Sequence, residues 1–310
     1  MCARRSGADP SAYVRSLAVL AALATLASAA LAPTAGASQL IDRNAQGIKL
    51  EVNTKGEALL TYRAGGRLRH VLAWGAVNAI APTTARPQVA LRLDYAGGWG
   101  KYRRDYWKTF TNACRAYDGP SLHWVVATCK ARDGSYWALQ AWQKMLPNFG
   151  LAPTPAQAVR MLHLSHWRGV LPRLEIETNW AYRTYDHLYG TFAYGSTGVF
   201  GFHSTPTGVP LDSFGRNVYV DTFNSIYGAG WKRENSFLTH RGTGAFCYGF
   251  YPHGSHPVGR GERYRATVIG PGVTPDVYWE GVAPGAYSRD ADAAANDRIR
   301  ALSDGSCKPN

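Results

Sequence analysis

Glu175 and Glu177 stand two apart in PRLEIET (172–178), alternating with Leu174 and Ile176. That period of 2 describes a half-buried strand with both carboxylates on its outer face, about 7 Å apart by strand rise. Two carboxyl groups at such a spacing can hydrolyse a glycosidic bond, one giving a proton and the other serving as base or nucleophile. A solvated strand face with no chemistry has the same pattern. Both readings stand at this level, and whether the chain is an enzyme stays open.

Histidines and aromatics offer other chemistry. His163 and His166 in LHLSHW are three apart, so on a strand they face opposite sides and cannot share a metal; core or surface histidines are the better reading. His253 and His256 in PHGSHP sit in a Gly/Pro loop that could bring two imidazoles to one ion, with His203 or Asp221 as distant candidates for a third ligand. An ordinary polar loop fits them as well, and no metal or cofactor is expected. HExxH, GxSxG, P-loop, CxxC and calcium-loop patterns are absent from the sequence. Trp99 and Trp231 follow glycines in GGWGKYR (97–103) and GAGWKRE (228–234), each just after a strand-like block that contains an acid, Asp94 or Asp221. Glycines let the chain turn sharply and deliver each indole to the end of its β layer. There it either plugs the core or stacks on a sugar face. The core role is expected for Trp99, and the binding role for Trp231, with Asp221, Tyr227 and Asn235 near it.

The elements carrying these residues read as all-β. The chain has 10 Trp, 18 Tyr, 33 Gly and 17 Pro, an aromatic and Gly-punctuated composition that favours strands and turns over long helices. Strand-like blocks recur in two halves: 48–54 with 172–178, 57–66 with 187–196, 67–75 with 197–205, 88–95 with 216–223, and 134–143 with 242–251. Blocks in one order with variable spacers suggest a duplicated β unit. The expected architecture is two related tandem β-sandwich-like units with a short helical insert and a C-terminal helix. The first unit spans 38–150, a linker 151–168 with a short helix at 155–160, the second unit 169–283, and the helix and tail 284–310. Tyr102, Tyr106, Phe110 and Cys114, spaced by four, predict the insert's helix. Ser288 as N-cap, Asp290 and Asp292 in the first turn, and Arg298 and Arg300 further along predict a helix over 289–303.

Positive residues Arg4, Arg5 and Arg15, the uncharged apolar run Leu17–Leu31 and the small residues Ala35-Gly36-Ala37 have the form of a secretory signal peptide cut after Ala37. The run is shorter than the roughly 20 residues of a membrane span. Four of the 5 cysteines follow the leader: Cys114, Cys129, Cys247 and Cys307. In an exported chain they imply two disulfides. Cys114–Cys129 and Cys247–Cys307 are favoured of the three pairings because each lies within one region. The formal net charge of +13 suits attraction to anionic polymers. The basic residues are scattered rather than clustered, which argues against nucleic acid.

The strings HVLAWGAVNA, LDYAGGWGKYR, FCYGFYPH and ERYRATVIGPGVTPDVYW resemble parts of uncharacterised secreted proteins of high-GC actinobacteria, a group with no assigned activity. That resemblance covers most of the chain after the leader and implies export to a bacterial envelope setting. LEIET is also faintly similar to a laminarinase-type signature, but Thr178 and Asn179 stand where a further Glu is needed. KGEALLTYRAGGRLRHVLAWG faintly resembles the opening hairpin of L,D-transpeptidases, but Cys247 lacks the His-Gly context of their nucleophile. The expectation is a secreted or wall-associated protein that binds anionic or neutral cell-wall glycans without catalysis. A glycan-active hydrolase using paired carboxylates and a purely structural or interaction protein are the alternatives.

Overall fold

The computed structural model describes residues 38–79, 89–145, 158–181, 185–194, 197–198, 203–204, 210–211, 218–225, 228–233, 238–240, 245–250, 262–268 and 273–303. The chain opens with β1 (Gln39–Arg43), β2 (Gln46–Val52), β3 (Ala58–Ala64), β4 (Arg67–Gly75) and β5 (Leu91–Asp94). Helix α1 (Trp99–Tyr102) and a 3-10 turn (Tyr106–Thr109) follow, then β6 (Val125–Lys130), β7 (Tyr136–Met145) and β8 (Ala158–Trp167). The strands β2-β3-β4-β5 form one antiparallel meander, and β1-β8-β7-β6 form a second sheet. Turn chemistry sets the meander's register. Asn53 Oδ1 accepts the N–H groups of Lys55 and Glu57 in the β2–β3 turn. Gly65 and Gly66, both at positive φ, make the two-residue β3–β4 hairpin. The two sheets share one core, with Val52, Leu60, Tyr62 and Val71 from the meander and Trp137, Leu139, Leu162 and Leu164 from the other sheet.

Residues 158–167, expected to close a linker with a short helix, instead form the ten-residue strand β8 between β1 and β7. Met161 through Trp167 are all buried. An apolar run flanked by strands on both sides satisfies its backbone groups best as a central strand. The predicted helical insert also differs. Arg103 takes a left-handed φ of 57° and ends α1 after one turn. Tyr102, Tyr106 and Phe110 still meet, as a ring ladder with centroids 4.1 and 5.8 Å apart. Stacking rather than a continuous helix therefore uses the spacing of four. The Cys114–Cys129 disulfide closes this insert onto β6.

The rest of the chain contains β9 (Arg173–Ala181), β10 (Tyr185–Tyr194), β11 (Thr197–Gly198), β12 (His203–Ser204), β13 (Pro210–Leu211), β14 (Val218–Ser225) and β15 (Gly228–Arg233). It ends with β16 (Leu238–His240), β17 (Ala245–Phe250), β18 (Arg263–Val268), β19 (Val277–Val282) and α2 (Arg289–Ser303). One sheet has the order β11-β10-β17-β16 with β9 also on β10, another has β15-β14-β18-β19, and β12 pairs with β13. Helix α2 begins at the expected cap: Ser288 Oγ accepts the Ala291 N–H. Its Ala295 and Ile299 pack on Ala181 and Tyr189 of the β9–β10 pair.

The fold is all-β with two helices among the described residues. Its strand pairing repeats only in part between the halves: β9, β10 and β11 pair in chain order as β2, β3 and β4 do. The first four matched blocks of the first half are neighbours in one meander, whereas 216–223 enters β14, in a different sheet from β9 and β10. β7 lies in the sheet opposite β3, but its counterpart β17 hydrogen-bonds to β10. Period-2 alternation specifies a strand and its buried face, not its neighbour, so similar blocks can enter different sheets. All the described residues fall in one compact unit.

Candidate functional site

β9 and β10 pair with Glu175 opposite Thr191 and Ile176 opposite Gly190. A Cβ at Gly190 would collide with the Glu175 carbonyl, so this close approach of the two backbones requires glycine. β19 lies beside β9, tied by the Thr178 hydroxyl to the Val282 carbonyl at 2.8 Å and by the Trp180 indole N–H to the Gly285 carbonyl at 2.8 Å. Trp279 projects from β19, and its six-membered ring lies where a side chain on Gly281 would otherwise stand. Glu175, Ile176, Glu177, Gly190, Thr191 and Trp279 thus line one open cleft of about 420 Å³.

The cleft's carboxylates are half-exposed and ion-paired at its rim. Glu175 meets Arg173, and Glu177 lies 3.2 Å from Arg298 of α2. Tyr189 donates its hydroxyl to Glu177 and accepts from Arg298, each at 3.2 Å. Burial, opposed by Arg298 and aided by the Glu177 charge, leaves the Tyr189 phenol harder to ionise than usual. The site therefore offers an aromatic ring, a threonine hydroxyl and two carboxylates held by arginines, within the size range of small-ligand clefts.

The tryptophans anticipated from the sequence take other roles. Trp99 is 52% exposed rather than core. The Gly97–Gly98 turn instead admits Tyr106 and Trp107, which occupy the space a Cβ on either glycine would need. Trp107 stacks on His70 with centroids 4.1 Å apart. Trp231 sits within a strand rather than at a turn, opposite Phe223 with ring centroids 5.2 Å apart. Arg265 and Arg263 lie over its ring at 4.5 and 5.5 Å, and Arg265 bonds the buried Asp221 at 2.7 Å. Two guanidinium groups thus lie within cation–π range of the indole expected to bind a ligand. Tyr227, Asn235, His253, His256 and Cys307 lie outside the described residues. Cys247 lies in β17, in register with Tyr189.

Two polar clusters were not anticipated. Glu57, at the β2–β3 turn, receives Lys101 and Tyr102 at 2.5 Å and Asn53 at 2.7 Å. Burial opposes its charge, but these hydrogen bonds outweigh it and hold the carboxyl below the usual range. Lys101 in turn lies 4.4 Å above the Trp74 ring. The second cluster sits on β8. His163 Nδ1 faces Ser38 Oγ at 2.7 Å and Asp276 Oδ2 at 3.1 Å, and Ser38 also donates to Asp276. A serine-hydrolase triad places serine and acid on opposite imidazole nitrogens. Here both share Nδ1 and Ser38 is buried, so this is a closed polar knot. On the opposite face, as the spacing predicts, His166 stacks on Trp137 at 3.8 Å and bonds Ser135 and the Ala76 carbonyl. Burial depresses its pKa to about 4. The signal for these clusters was Asn53 and Glu57 flanking a turn, and polar residues inside an apolar strand; their partners are distant in sequence.

Among the described residues no group of three or more His, Cys, Asp and Glu could hold a metal ion, and no helix is long and apolar enough to cross a membrane. No family model, no curated protein and no solved structure matches the chain.

Proposed function

We propose that the protein is exported by its N-terminal leader and binds an extracellular glycan, without catalysis, in the cleft between β9, β10 and β19. The observation that carries this reading is Trp279 lying over side-chain-free Gly281 in a cleft also lined by Glu175, Glu177 and Thr191. An indole supplies a flat apolar surface for the C–H face of a sugar ring. Carboxylates and a threonine hydroxyl take the ring's hydroxyls, and the charge on the carboxylates strengthens those bonds. The net charge, +13 for the whole chain and still strongly positive once the leader with Arg4, Arg5, Arg15 and Asp9 is gone, raises the local concentration of acidic wall polymers around the molecule without dictating which sugar enters.

Hydrolysis by Glu175 and Glu177 is the second reading, favoured by their placement in one cleft. It asks one carboxyl to deliver a proton. Here each is ion-paired to an arginine, which suits acceptors of hydroxyl protons better. Isothermal titration of the secreted protein against neutral and acidic wall oligosaccharides, with reducing ends counted in the same samples, separates the two. The binding reading expects a saturable Kd with no release of reducing ends. Release that disappears in Glu175→Gln or Glu177→Gln would establish the hydrolase instead, and an absence of both binding and release would leave neither standing.

A further inference from the structure

Asp276 is a buried carboxylate whose one ionisable partner among the described residues is the buried His163 ring. Its side chain is 0% exposed. Its partners are the Ser38 hydroxyl, the His163 ring and the Trp142 indole N–H at 3.0 Å. Among the described residues no lysine or arginine reaches it. The backbone holds it in place: Gln140 donates to the Asp276 carbonyl at 3.1 Å and accepts from its N–H at 3.0 Å. A carboxylate taken fully out of water calls for a compensating positive charge or a full set of donors.

Ser38 supplies the missing element. It is 1% exposed, and its hydroxyl donates to Asp276. It also directly follows Ala35-Gly36-Ala37, the small-residue stretch at which the leader is expected to be cut. Hydrolysis of the Ala37–Ser38 peptide bond by signal peptidase adds water across it, leaving a carboxylate on Ala37 and a new α-ammonium on Ser38. That nitrogen is three bonds from Oγ, which itself bonds Asp276, and so lies within about 6 Å of the carboxylate.

We infer that leader removal creates the α-ammonium that pairs with buried Asp276, so that Ser38 is both the processing site and the anchor of the mature N-terminus. This rests on the export reading but not on the glycan cleft. It links a cut made outside the fold to closure of the β1–β8 seam. Cleavage precedes burial, because a folded Ser38 is out of reach of any protease.

The test uses the full chain exported with its own leader, and a version carrying a second Ala-Gly-Ala before Ser38 so that cleavage at the first copy leaves a tripeptide extension. Intact mass of the first should place the N-terminus at Ser38; any other start overturns the inference. The extended form, its start confirmed by mass, should melt about 4 °C or more below the processed form. That difference should vanish when both carry Asp276→Asn. Equal melting of the two forms, or an equal deficit in the Asn variants, overturns the inference. Should D276N not fold, Ser38→Ala takes its place. With the ammonium as partner the deficit survives loss of the hydroxyl, and its disappearance shows that the hydroxyl alone is the anchor and contradicts the inference.

Discussion

Glu57 in the β2–β3 turn and the pair Glu175/Glu177 on β9 are surrounded by the same kinds of group: a base, a tyrosine hydroxyl and an indole. Around Glu57 the protein fills nearly every acceptor site, with Lys101, Tyr102 and Asn53 converging on a carboxylate that is 5% exposed. On β9 each carboxylate meets one arginine and stays about half exposed, and the indole lines a cleft beside them instead of lying under a cation. Composition does not separate a structural acid from a ligand-binding one. Saturation of its hydrogen-bonding capacity does.

Removing a saturated acid should be the costliest change. Glu57→Ala strands the Lys101 ammonium and two phenols against a buried turn, for a loss of about 3 kcal/mol in denaturant titration, with glycan affinity unchanged. A loss below about 1 kcal/mol would show that the nest is not a stability element.

The next effect is pH-dependent and comes from the same closed half of the molecule. His166 is neutral in the fold because burial lowers its pKa to about 4, while an unfolded histidine titrates near 6.5. Between these values the unfolded chain binds more protons, so stability is complete above about pH 6.5 and falls as the pH drops, by about 2 kcal/mol at pH 5. His166→Gln should flatten that slope; an unchanged slope would place the titrating group elsewhere.

The smallest expected stability effect belongs to the open site. Glu175→Gln and Glu177→Gln remove exposed ion pairs and should each change stability by less than about 1 kcal/mol. Each should nonetheless weaken glycan binding. A large stability loss with unaltered binding would move these residues into the same class as Glu57.

Much of the architecture was legible in the sequence because it depends on local signals. The Leu174/Ile176 against Glu175/Glu177 alternation marked β9 and its exposed carboxylate face. Ser288, Asp290 and Asp292 marked the start of α2. Cys114 and Cys129 found each other across 15 residues. What was not legible depends on neighbours far along the chain. No local pattern places Trp279 beside Glu175, or Asp276 against Ser38 at a separation of 238 residues. The surroundings of Trp99 and Trp231 were hidden for the same reason. Glycines before an indole say that the chain can turn, but not that Tyr106 and Trp107 will fill the space behind the turn, or that Arg265 will lie over the ring. The linker reading missed β8, whose buried histidines and serine masked an otherwise apolar central strand.

The open cleft is the central claim, and the most direct measurement compares two indoles. Trp279→Ala and Trp99→Ala, each checked for folding by thermal melt, are titrated against the oligosaccharide that the unaltered protein binds. Trp99 is exposed and Trp279 part-buried, and only Trp279 lines the cleft. The account predicts a Kd at least about tenfold weaker for Trp279→Ala, or 1.4 kcal/mol, and an unchanged Kd for Trp99→Ala. Full affinity in a folded Trp279→Ala protein, or loss of binding only in Trp99→Ala, would contradict it.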